Sequence, residues 1–311
     1  MKIAALVGGV RALEERGIVT GRNLRVAAGS SSGAVLAALL ASGRTVGEIE
    51  RLLIDDTKAI GDLVSEDPSK LSLFSMVWRL MRRHGLDDGS KFLHWLEKIF
   101  GAKTTFRDLY EQSGGISCLV TATSYTRAKL LTFSPEQTPD MLVVTALRAS
   151  CSLPGLYSPV EVSGEVLIDG GVLCNFPMRH CRRAYPGLRL YCGLDFDYLD
   201  AAASFKWTKN DSPSLFAYGC NVASLIFYRI ASLERRLASS HHTAVGHTST
   251  TYTFRIPVPA SYLKPAIASQ RAELEALRSE AYQHVLAGYG DFVDAMRPTT
   301  VYDVDVFQGT S

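Results

Sequence analysis

The first apolar positions, Ile3, Leu6, Val7, Val10 and Leu13, recur at helical spacing, and Gly17 supplies a C-terminal stop. Gly8 and Gly9 inside that helix weaken it, so their presence predicts a close approach by another element. A short strand follows over Leu24 to Ala28. It meets Gly29-Ser30-Ser31-Ser32-Gly33 and then a helix of small apolar residues, Ala34 to Ala41. Val46 to Phe100 reads as helical and irregular. Ile116 to Ala122 and Lys129 to Phe133 read as neighbouring strands. Met141 to Ala149 is a helix, ended by Ser152-Leu153-Pro154-Gly155. Val166 to Ile168 is a short buried strand that stops at Asp169-Gly170-Gly171, and Leu188 to Leu194 is another. Beyond Asp200 the pattern is mostly helical, with a strand at Tyr252 to Val258 and a charged-faced helix from Gln270 to Ala287. Leu215 to Ala231 is strongly apolar but interrupted by Asn221, Tyr228 and Arg229, which predicts a buried helix rather than a membrane span.

Strands alternating with helices predict an α/β fold with a mostly parallel central sheet. No repeat or convincing linker divides the chain. Residues 1–311 read as one domain, with a core to about residue 200 and a mainly helical part over about 201–311.

Composition narrows the function. A net charge of +2 with scattered basic residues argues against a nucleic-acid partner. The six cysteines form no C-x-x-C pair, so they suggest neither a metal site nor a redox motif and read as buried, reduced thiols. The apolar stretch from Met1 to Val10 is too short to span a membrane and runs into Arg11, Glu14, Glu15 and Arg16 without a cleavage pattern. A cytoplasmic or peripherally membrane-associated protein is expected, with export by a route needing no cleavable signal left open.

Gly29-Ser30-Ser31-Ser32-Gly33 fits the G-x-S-x-G nucleophile turn. In such a turn the middle serine projects Oγ off the strand end, and the flanking glycines have no Cβ to clash. The following helix aims free N–H groups at the site, and the Ser32 N–H is a candidate oxyanion donor. A plain linking loop or a phosphate cradle fits the same residues. The absence of a following lysine excludes a P-loop.

A serine nucleophile needs a base. None of His84, His94, His180, His241, His242, His247 and His284 follows a strand as a catalytic histidine does. Asp169 stands at the end of an apolar strand before Gly170-Gly171. Its carboxylate is expected at the strand's C-terminal edge, the edge at which the Ser31 turn opens. An ordinary Asp-Gly turn fits as well.

Taken together, Gly29-Ser30-Ser31-Ser32-Gly33 and Asp169-Gly170-Gly171 resemble the paired motifs of the patatin-like phospholipases. The resemblance extends through Ala12 to Ile18, Thr121-Ala122-Thr123, Arg148 to Gly155 and Asn175-Phe176-Pro177, in family order over roughly residues 4–195. It implies a three-layer patatin-like fold and a lipid acyl hydrolase. It also implies a histidine-free Ser31–Asp169 dyad, an acyl-serine intermediate, a phospholipid or other acyl lipid as substrate, and no cofactor. The family's oxyanion loop, G-G-G-x-R/K-G, precedes its first helix. Here Lys2 aligns with the basic residue, Ile3 stands in place of the next glycine, and the glycines themselves would lie before Met1. A misassigned start, a truncated piece, or a degenerate relative that binds lipid or a partner without efficient catalysis would each give that pattern.

Between Lys70 and His84, Leu71, Leu73, Phe74, Met76, Val77, Trp78, Leu80 and Met81 run beside Arg79, Arg82 and Arg83. A core helix with a solvated basic end is the favoured reading. A lid or membrane-docking element is the other.

Overall fold

A computed structural model describes residues 2–19, 23–55, 71–199, 250–259 and 271–296, with isolated helical positions between 222 and 233. Helix α1 (Lys2–Glu15) is followed by β1 (Val26–Ser30) and α2 (Ser32–Ala41). Then come α3 (Val46–Glu50), with a π turn at Arg51–Asp55, and α4 (Leu73–Arg83). The chain continues through β2 (Gly85–Asp87), α5 (Ser90–Phe100), α6 (Phe106–Gln112), β3 (Ser117–Ser124), β4 (Lys129–Phe133) and α7 (Val143–Ser150). Next are β5 (Gly155–Tyr157), β6 (Val160–Val162), β7 (Glu165–Asp169), a 3-10 turn at Gly170–Val172 and α8 (Met178–Ala184). The described elements end with β8 (Leu190–Leu199), β9 (Thr250–Pro259), α9 (Arg271–Ala287) and α10 (Tyr289–Met296).

The fold is α/β. The longest ladder, β8–β9, is parallel, as are β1–β3 and the short β2–β5 pair. β4 and β7 join β3 antiparallel, and β6 pairs antiparallel with β7. β3 is buried along its whole length, as expected of a strand covered on both faces. α2 is buried nearly all round, which only its run of alanine, valine and leucine permits. One continuous core joins α1, α2, β3, α7, β9 and α9.

Gly8 and Gly9 meet the expected close approach. A Cβ on Gly8 would lie 2.0 Å from the Arg278 carbonyl oxygen of α9, and one on Gly9 would lie 3.0 Å from the Leu194 side chain. The five described cysteines are free thiols. Burial raises Cys118 above its usual range and pushes Cys181 up to about 11.

Three expectations change. The stretch from Val46 to Phe100 is not helical throughout, because β2 interrupts it to pair with β5. The segment read as a buried helix carries exposed side chains at Val222, Leu225 and Ile226. Arg229 in the same segment is exposed and Ile230 half-buried, and its remaining positions lie outside the described residues, as does 201–213. α4, favoured as a core helix, turns Phe74, Val77, Trp78 and Met81 to solvent. A periodic apolar face is the same in sequence whether another element covers it or not. Among the described residues, no helix is long and apolar enough to cross a membrane.

Candidate active site

The site begins where β1 ends. Ser31 follows the strand with φ 54° and ψ −128°, a region that L-residues rarely occupy. Holding a non-glycine residue there costs about 1–3 kcal/mol. The turn is tight enough that a Cβ on Gly29 would lie 2.1 Å from the Gly33 carbonyl oxygen. Glycine is therefore required at Gly29 for space.

Ser31 also occupies the N-cap position of α2, but its hydroxyl does not cap the helix. A serine at that position ordinarily accepts from the second or third helical N–H. Here the Ser31 hydroxyl instead donates to Asp169 Oδ2 at 2.7 Å. The N–H groups of Ser32 and Gly33 lie in the first helical turn, which has no intrahelical acceptors for them. The Ala34 N–H is already committed to the Ser31 carbonyl at 2.9 Å.

Asp169 is buried, with 3% of its surface exposed. Its Oδ1 accepts from the Gly171 N–H at 2.7 Å, so the turn that follows orients the carboxylate. Gly170 allows β7 to end against β3. A Cβ there would lie 2.4 Å from the Thr121 carbonyl oxygen and 2.7 Å from Ser30 Oγ.

The two motifs meet by a different route from the one the sequence suggests. Parallel strands would have brought both turns to one C-terminal edge. β7 instead runs antiparallel to β3, and Asp169 pairs with Ala122 while Ser30 pairs with Thr121. Adjacent register on the shared strand β3 sets them side by side.

A third segment braces both. The Ser31 N–H donates to Ser150 Oγ at 2.9 Å, and the Asp169 N–H donates to the Ser152 carbonyl at 2.9 Å. Ser150 and Ser152 are fully buried at the end of α7. Arg148, also buried, donates to Ser152 Oγ at 2.6 Å, to the Asp88 carbonyl at 2.7 Å and to the Ser158 carbonyl at 3.0 Å. Its guanidinium lies over the Tyr157 ring at 5.2 Å. Desolvation lowers the Arg148 pKa against the pull of nearby anionic groups. The helix and turn over Arg148 to Gly155 are legible in the sequence, but the contacts of Arg148 are not. The only available signal was a serine four residues after an arginine.

Cys151 sits within this segment. Burial, then the charge of Asp169, raises its thiol well above the usual range. It therefore stays protonated and offers no thiolate beside the serine. Of the four described histidines, His94 pairs with Glu97 and His180 lies 3.6 Å from Cys174 Sγ. His241, His242 and His247 lie outside the described residues. Among the described residues, no group of three or more histidine, cysteine, aspartate or glutamate side chains is arranged to hold a metal.

Residues 1–181 match the model of the family described as patatin-like phospholipase. The chain belongs to the patatin-like phospholipase family. YqhO of Bacillus subtilis, an uncharacterized protein, is 35% identical to this patatin-like chain over 193 residues, covering 57% of it and 62% of YqhO. The "Probable lipid hydrolase 463L" of invertebrate iridescent virus 6 is 28% identical over 165 residues, covering 48% of this chain and 50% of its own length. The patatin-like chain thus spans less than two thirds of the length of these relatives. Among solved structures, VipD from Legionella pneumophila superposes with a TM-score of 0.51 at 17% identity, covering 93% of this chain and 65% of VipD. That likeness concerns the fold alone.

Proposed function

We propose that this chain is a serine lipid acyl hydrolase that cleaves fatty acyl esters of phospholipids or related lipids through Ser31 and Asp169. The observation that carries the proposal is the 2.7 Å hydrogen bond from the Ser31 hydroxyl to Asp169 Oδ2, made by a strained serine at the start of a helix. Family membership over residues 1–181 supports a lipid as substrate.

In the reaction, Ser31 Oγ attacks the ester carbonyl carbon while its proton passes to Asp169. The carbonyl π electrons move to oxygen, and the N-terminus of α2, with the Ser32 N–H foremost, receives that negative charge. Collapse of the tetrahedral species expels the alcohol portion of the lipid, which takes the proton from Asp169 and leaves an acyl ester on Ser31. Water then gives a proton to Asp169 and attacks the acyl carbon. The fatty acid departs as Ser31 regains its proton. Each proton transfer runs between Asp169 and a group that touches it, with no imidazole relay.

The test is covalent labelling with a fluorophosphonate together with fatty acid release from phospholipid. Labelling at Ser31 that is lost in Ser31→Ala, and release that falls below about a thousandth in Ser31→Ala and Asp169→Asn, is the expected result. A folded protein that takes no label at Ser31 overturns the proposal.

A further inference from the structure

α4 is amphipathic in an unusual sense, because its apolar side faces solvent. Phe74 is 81% exposed, Met81 77%, and Val77 and Trp78 47% each. Positions 74, 77, 78 and 81 fall on one helical face. Four large apolar side chains grouped in water are rare on a monomer's surface and mark a contact site.

The charges carried by α4 itself have one sign. Between Leu71 and Leu86 the sequence holds Arg79, Arg82, Arg83 and His84, and no acidic residue. The Arg82 guanidinium stands 5.5 Å over the Trp78 ring, at the rim of the apolar face. Arg83 is half exposed and lies 3.5 Å from Asp88, which also stands half exposed. Arg79 turns inward to the Leu86 carbonyl at 3.2 Å. The face is therefore apolar at its centre and cationic at its C-terminal rim.

Its position ties it to the dyad. α4 runs through His84 into β2, and β2 pairs with β5. β5 begins three residues after Ser152, whose carbonyl holds Asp169.

We propose that α4 docks this chain on an anionic lipid surface, with Phe74, Val77, Trp78 and Met81 entering the interfacial layer and Arg82 and Arg83 meeting lipid phosphates. The apolar residues supply burial and the arginines supply preference for anionic lipid. A second copy of the chain fits less well, since α4 carries no acid and the neighbouring Asp88 already faces Arg83 of its own chain. The inference rests on the hydrolase reading, because it names the surface on which that site meets its substrate. Docking itself needs no catalysis, so the two can fail separately.

The experiment is cosedimentation of the full chain with phosphatidylcholine vesicles, with and without phosphatidylglycerol. Wild type and Ser31→Ala should bind the anionic vesicles alike, and added salt should weaken both. Phe74→Ala/Trp78→Ala and Arg82→Ala/Arg83→Ala should each lower partitioning by about tenfold. Their melting temperatures and fluorophosphonate labelling should match wild type, since these side chains are exposed. Binding that ignores lipid charge, or that survives either double substitution, overturns the proposal. So does sedimentation velocity showing a wild-type dimer that Phe74→Ala/Trp78→Ala converts to monomer.

Discussion

The Ser31 backbone N–H donates to the hydroxyl of Ser150 at 2.9 Å, so the residue in the strained turn is held at its nitrogen as well as at its side chain. That bond fixes the peptide preceding Ser31, while the bond to Asp169 fixes the hydroxyl. Substituting Ser150 with alanine leaves a part-buried donor without its acceptor, at a cost of about 1–3 kcal/mol. With the turn free to rotate, turnover of a soluble ester should fall about tenfold to a hundredfold while KM stays close to wild type. Steady-state kinetics and a denaturant titration on the same variant separate the two effects.

Arg148 is the donor on which the Ser152 turn depends. Arg148→Met would leave Ser152 Oγ and the carbonyls of Asp88 and Ser158 without the guanidinium that joins them. A loss of about 3 kcal/mol is expected. Arg148→Lys keeps the charge but not the planar fork, and should recover only part of the loss. Urea unfolding of both variants gives the ranking. An Arg148→Lys protein as stable as wild type would mean that charge, not geometry, matters here.

The packing of α1 on α9 predicts an inverted propensity effect. Alanine in place of glycine normally strengthens a helix by about 1 kcal/mol. At Gly8 the new methyl would sit 2.0 Å from the Arg278 carbonyl oxygen, so the helices must move apart. Gly8→Ala should therefore destabilise the protein by about 1–3 kcal/mol, measured by thermal or chemical unfolding.

Glu136 gives a signed pH dependence. Burial opposes its ionisation, but hydrogen bonds from Ser117 and Tyr185 outweigh that and hold its pKa below the usual carboxylate range. A carboxylate depressed on folding stabilises the native state above its unfolded pKa of about 4.3, and the contribution fades as pH falls through the folded value. Burial, then the bond to Glu136, raises Tyr185, which stays a donor throughout. Glu136→Gln should thus lower stability near neutral pH by at most about 1 kcal/mol, because the group is only partly buried and solvent screens it. The difference should vanish in acid. Unfolding curves across that range check both sign and window.

Local signals made part of this molecule legible. The strand, turn and helix around Ser31 could be read because glycine and serine at fixed spacing, followed by small apolar residues, leave the backbone few alternatives. Gly8 and Gly9 signalled the approach of a neighbour, though not that the neighbour is α9. The meeting of Ser31 with Asp169 was expected from paired motifs, but its route was not, since strand direction depends on long-range pairing with β3. β2 and β5 are three residues each, too short to carry any periodicity. The sequence of α4 favours a core helix over an exposed docking face because the arginines that rim its apolar face equally suit a solvated helix end, and the structure turns that face outward.

The place of β7 late in the chain order has a consequence for biosynthesis. Ser31 and Asp169 stand 138 positions apart, and the later of them is delivered by the last strand to join β3. At about 5–20 residues per second, the ribosome releases the serine several seconds to half a minute before the carboxylate exists. In the proposed reaction the nascent chain carries a nucleophile with no base, and it stays inert toward the lipids around it until β7 has closed on β3. On that reading, timing built into strand order keeps the unfinished chain silent.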